Sequence, residues 1–109
     1  MIVNDAISQR VRGFVEQHIN SVEALEALLL VFAQALRYWS AADLAREARS
    51  NDWSAEMQLQ SLQRAGLLVR TGPSGLYQAN PSFSELVAEV ERTFRRSRVA
   101  VISLIYSMP

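Results

Sequence analysis

This 109-residue chain predicts a mainly helical domain with one small β-hairpin. Three observations carry that reading. Apolar residues recur at helical spacing from Ile7 to Val15, from Leu25 to Leu36 and from Leu86 to Ile105. Two shorter helical patterns, Ser40 to Arg49 and Ser54 to Ala65, are separated by the polar break Ser50-Asn51-Asp52. The dense turn signal Thr71-Gly-Pro-Ser-Gly75 then lies between two short apolar runs, Leu67 to Val69 and Leu76 to Ala79.

Composition narrows the possibilities. The length favours a single domain, and half of the residues are hydrophobic, enough for one compact core. With no cysteine, a disulfide framework and a thiolate metal site are excluded. The opening MIVNDAISQR lacks the basic and apolar blocks of a secretory signal. The longest apolar runs, Ala27 to Ala33 and Val99 to Ile105, fall well short of the ~20 residues that span a bilayer. A cytoplasmic protein with no membrane partner is therefore expected. Net charge is zero, with eleven basic and eleven acidic residues. An autonomous DNA binder usually shows a basic excess or a basic face. Every basic residue is arginine, as a GC-rich bacterial genome would favour. Arginine also suits bidentate contacts to phosphate and carboxylate.

The elements follow in order. Asn4 to His18 predicts a first helix, capped by Asn4 or Asp5, with Ile7, Val11, Phe14 and Val15 inward. Ser21 caps a second, running to about Arg37, with Leu25, Leu28, Leu29, Phe32 and Leu36 as its main apolar face. Tyr38 and Trp39 follow. Ser40 and Asp43 have the spacing of a capping box, and Leu44 and Ala45 face inward. The next helix runs from Trp53 or Ser54 to Ala65, with Ala55, Leu59 and Leu62 inside and Gly66 as its stop. After the hairpin, Ser82-Phe-Ser-Glu85 matches a capping box. One long helix is expected from there to about Tyr106, reaching ~35 Å at ~1.5 Å per residue. Its stripe is Leu86, Val90, Phe94, Val101 and Ile105.

The pattern A-x-x-L-A at Ala41 to Ala45, the pattern L-x-x-L-x-x-A-G-L-L at Leu59 to Leu68 and the glycine-rich hairpin resemble the winged helix-turn-helix superfamily, most closely MarR-like and related small bacterial regulators. The resemblance covers roughly residues 21–80 and speaks to fold more than to function. Together with the flanking helical patterns, it divides the chain into an N-terminal helix packing on the domain (1–20), a winged-helix core (21–80) and a long C-terminal helix expected to dimerise (81–109). It implies a cytoplasmic, DNA-binding transcriptional regulator. The helix Ser54 to Ala65 would enter the major groove and the hairpin would be the wing. The DNA-contacting residues so implied are Ser54, Met57, Gln60, Ser61, Arg64, Arg70, Thr71 and Ser74. Gln60 could pair with adenine and Arg64 with guanine or phosphate. Against this, Ser40 to Gly66 holds three arginines and four acids, and Glu56 would face phosphate. The alternative is a winged-helix scaffold that has lost DNA binding and contacts another protein.

The basic cluster Arg92 to Arg98 has three readings: a solvated helix face, a phosphate-contacting patch, or a partner-facing patch beside a dimer seam. The apolar tail VAVISLIYSMP exceeds what a small bundle is expected to bury, which points to an interface. The dimer seam is expected at Phe94, Val101, Ile102 and Ile105, giving a homodimer. Nothing suggests an enzyme or a cofactor. His18 is the only histidine and reads as a helix-end residue, and no phosphate-binding glycine loop is present. Trp39, Trp53 and Tyr77 read as core or wing anchors, with Trp53 stapling the entry of its helix.

Overall fold

The computed structural model describes residues 6–108. Its described residues hold six α-helices and one antiparallel pair of strands. Helix α1 is Gln9–His18, and Ser8 caps it by accepting from the Val11 amide at 3.2 Å. The caps expected from Asn4 and Asp5 lie outside the described residues. Helix α2 is Val22–Ala33, capped by Ser21 as expected. It stops a turn earlier than Arg37, and Leu36, expected inside, is 87% exposed. The reason is downstream pairing. The chain must turn at Gln34 so that Trp39 can exchange two backbone hydrogen bonds with Tyr77, at 2.7 and 2.9 Å.

Helix α3 is Ala41–Ala48. Both arms of its capping box form: Asp43 N–H donates to Ser40 Oγ, and Ser40 N–H donates to the Asp43 carboxylate. It ends at Arg49, which adopts the left-handed conformation with φ 55°. Helix α4 is Asp52–Arg64 and is capped by Asn51, one residue before the expected start. Its exit is a Schellman turn: Leu67 N–H reaches Leu62 O, Gly66 N–H reaches Gln63 O, and Gly66 takes φ 85°. Strands β1 (Leu68–Thr71) and β2 (Leu76–Ala79) then pair, with Leu68 opposite Ala79 and Arg70 opposite Tyr77.

The C-terminal third departs most from expectation. Ser82 caps nothing; Asn80 caps a single 3-10 turn, Pro81–Phe83, and α5 (Ser84–Arg96) grows from it without a side-chain cap. The predicted long helix is broken at Ser97, where φ is −136° and ψ is 54°, and α6 (Arg98–Ser107) follows. The break lets α6 pack against α1 and α5. Its Val101, Leu104 and Ile105 join Val11, Val15 and Ile19 in one core cluster that also holds Leu28, Leu59 and Tyr77. Burial of that apolar surface is what holds the helices together. No helix of the described residues is long and apolar enough to cross a membrane.

Candidate functional site

Helix α4 and the hairpin share a surface, and its geometry follows from helical spacing. Ala55, Leu59 and Leu62 are buried, so residues half a turn away must face out. That outward stripe is Trp53, Met57, Gln60 and Arg64, at i, i+4, i+7 and i+11. Trp53 is 73% exposed and Met57 40%. Trp53 is thus no staple. It lies in the first turn, after the Asn51 cap, with nothing packed over it. Ser54 and Ser61 sit at the flanks, both half-buried, and the Ser54 amide is already bonded to the Asn51 cap.

Glu56 does not face outward as expected. Its Oε2 accepts from the Tyr77 hydroxyl at 2.9 Å and from Gln60 Nε2 at 2.8 Å. The Gln60 amide expected to pair with adenine is therefore engaged within the chain. Burial, followed by the bond to Glu56, pushes the Tyr77 phenol above its ordinary pKa. Arg64 and Arg70 both lie close enough to oppose that shift.

The hairpin uses its own polar groups in the same way. Arg70 donates from Nε to Gly75 O at 3.0 Å and lies over the Tyr77 ring, 5.0 Å from its centroid. Gly75 permits this approach: it has φ 66°, and a Cβ there would stand 3.2 Å from Arg70 Nη2. Thr71 Oγ1 donates to Leu76 O at 3.1 Å, and Ser74 Oγ to Thr71 O at 3.4 Å. The eight residues expected to touch DNA do not all share that surface: Ser54 lines a small cleft with residues of α2 and α3. Four of the eight, Gln60, Arg70, Thr71 and Ser74, carry side-chain hydrogen bonds inside the chain.

Most of the expected dimer seam is covered within the single chain. Phe94 and Ile105 are 7% and 5% exposed and Val101 is fully enclosed, all within the single chain, and Ile102 is half-buried. Val99 and Tyr106 are the exposed apolar residues of α6. The basic cluster is dispersed. Arg95 pairs with Glu91, Arg98 with Glu26 at 3.4 Å, and Arg96 reaches Ala6 O at 3.5 Å. Glu89 is paired with Arg10 at 3.5 Å and accepts from Ser8 Oγ at 3.3 Å.

One feature escaped sequence reasoning. An open groove of about 720 Å³ runs between α2 and α5, floored by Leu29, Leu30, Phe32, Val87 and Phe94. The uniform apolarity of α2 signalled more than one covered side, but it could not say which side stays open. His18, at the end of α1, meets Phe14 in a tilted contact at 5.1 Å and Phe83 edge-on at 6.1 Å. Among the described residues no cluster of three His, Cys, Asp or Glu could hold a metal ion. Comparison with family models, with curated proteins and with solved structures finds no match for this chain.

Proposed function

We propose that this chain is a non-enzymatic winged-helix module that docks a protein partner through the outer face of α4. The observation that carries this reading is the exposed Trp53–Met57 pair, one turn apart, on the helix that a DNA-binding relative would insert into the major groove. Aromatic and methionine side chains anchor protein interfaces, where they fill apolar pockets. The first turn of α4 also carries Asp52, which phosphate would repel, and Glu56 and Gln60 already satisfy each other. The partner is expected to offer an apolar pocket for the indole, with an acidic group toward Arg64.

A second reading, a DNA-binding transcriptional regulator, is favoured by one observation. Arg64 and Arg70 converge on Tyr77 from α4 and from the hairpin, which places two cations on one face. Two assays separate the readings. In low-salt anisotropy titrations with random duplex DNA, the docking reading expects no saturable binding at tens of micromolar. In nuclease-treated extracts of the native host, it expects a captured protein that is lost with Trp53→Ala and kept with Arg64→Ala. Saturable DNA binding that weakens with Arg64→Ala and Arg70→Ala, and is indifferent to Trp53→Ala, would overturn it.

A further inference from the structure

The break between α5 and α6 interrupts a seam that is otherwise continuous. The buried positions Val87, Val90 and Phe94 on α5 and Val101 and Leu104 on α6 are spaced three, four, seven and three residues apart. With Ser97 placed between Phe94 and Val101, the run 87-90-94-97-101-104 is an unbroken heptad pattern of alternating three- and four-residue steps. A straight helix from Ser84 to Ser107 would therefore present one seam along its whole length.

The bend has a cost in the backbone. Ser97 N–H still bonds Thr93 O at 2.8 Å, and Val101 N–H still bonds Ser97 O at 3.1 Å. Between them, the amides of Arg98, Val99 and Ala100 have no backbone bond to the carbonyls of Phe94, Arg95 and Arg96. No side chain caps the start of α6. Those are the orphan groups that every helix end leaves, here met twice within four residues. What offsets them is the burial of Val101, Leu104 and Ile105 in the core shared with α1.

A second copy of this chain removes the conflict. We propose that α5 and α6 can straighten at Ser97 into one helix, and that the α6 of each chain then takes the same seat on the α1 of its partner. The three helical hydrogen bonds re-form in each chain, and the apolar face of α6 stays covered. The occupant is a second copy because the seat already fits α6 and the exchange introduces no new interface chemistry. A single-residue hinge with helices on both sides is a setting in which such exchange of an element is cheap. The inference does not depend on what α4 binds.

Static light scattering on three forms of the full chain tests it. Wild type is expected to show a monomer–dimer equilibrium at high concentration. Ser97→Leu fills the seam and favours continuous helix, and should raise association at least about tenfold. Arg98→Pro suits the first turn of the bent α6 but cannot sit inside a straight helix, so this variant should be folded and monomeric. Dimers of Ser97→Leu should dissociate slowly on dilution, because α6 must leave one core before entering another. A monomeric Ser97→Leu chain at millimolar concentration would overturn the proposal. So would an Arg98→Pro chain that dimerises as wild type does, or a dimer that dissociates instantly on dilution.

Discussion

The Tyr77 hydroxyl donates to Glu56 at 2.9 Å, and this bond ties the hairpin to the outer flank of α4. Tyr77 also exchanges both backbone hydrogen bonds with Trp39 and carries the Arg70 guanidinium over its ring. One buried aromatic residue thereby fixes the start of α3, the middle of α4 and the hairpin relative to each other. The orientation of any ligand-binding face on α4 depends on it.

Tyr77→Phe keeps the ring and removes the bond to a carboxylate. It is expected to cost about 1–2 kcal/mol, seen as a lower urea midpoint at unchanged slope. The pH dependence has a definite sign. The phenol is held above its ordinary value of 10.0 in the folded chain. Below pH 10 both states keep the proton and stability is intact. Above it the unfolded chain loses the proton first, so stability falls as pH rises through the folded value. Urea titrations of wild type above pH 10 should show this loss, and Tyr77→Phe should lack this component of it.

The α3 capping box predicts the opposite limb. Asp43 is held below the ordinary carboxyl value by the Ser40 amide first, then by the Ser40 hydroxyl and the arginines Arg46 and Arg37. Its stabilisation is present above about pH 4 and is lost as pH falls through the lowered value. Asp43→Asn should flatten the acid limb of the stability profile. Ser40→Ala should cost about 1 kcal/mol at neutral pH.

Two left-handed positions should respond in opposite directions. Gly66 has φ 85° and closes α4, and a Cβ added there would meet nothing within 4 Å. Gly66→Ala is therefore penalised by backbone conformation alone, by about 1 kcal/mol. Arg49 occupies the same region at φ 55° without being glycine. Arg49→Gly should relieve a similar strain and raise the melting temperature by a few degrees, at about 4–8 °C per kcal/mol for a domain of this size. Differential scanning calorimetry on both variants checks the pair.

The two tryptophans give a spectroscopic readout of the exposed face. Trp39 is fully buried and Trp53 is not. Trp53→Phe should leave a blue-shifted emission that iodide barely quenches, whereas Trp39→Phe should leave a red-shifted and quenchable one. Trp53→Phe should change stability by less than about 0.5 kcal/mol, because the side chain touches little.

Local signals in the chain were accurate where a short stretch decides its own geometry. Ser21, the Ser40–Asp43 box, Gly66 and the hairpin around Gly72 and Gly75 all perform the roles that their residue types imply. The buried faces of α3 and α4 follow from spacing alone. The errors fall where distant groups compete. Leu36 has the right period for α2, but pairing of Trp39 with Tyr77 pulls it into solvent. Glu56 has the spacing of a surface residue, but a tyrosine 21 positions later claims it. Ser82 has a capping-box pattern that Asn80 pre-empts.

Sequence by itself determined a mainly helical chain with one hairpin, the inner faces of α3 and α4, the caps of α2 and α3 and the glycine stop of α4. Those depend on periodicity and on hydrogen bonds between residues two to five apart, which the local order of residues contains. Tertiary structure alone decided that α5 and α6 part at Ser97, that Val101 and Ile105 are covered by the chain itself, and that Trp53 stands in solvent. These outcomes depend on which apolar surfaces compete for the same core. Periodicity shows that a face is apolar, and only packing shows what covers it.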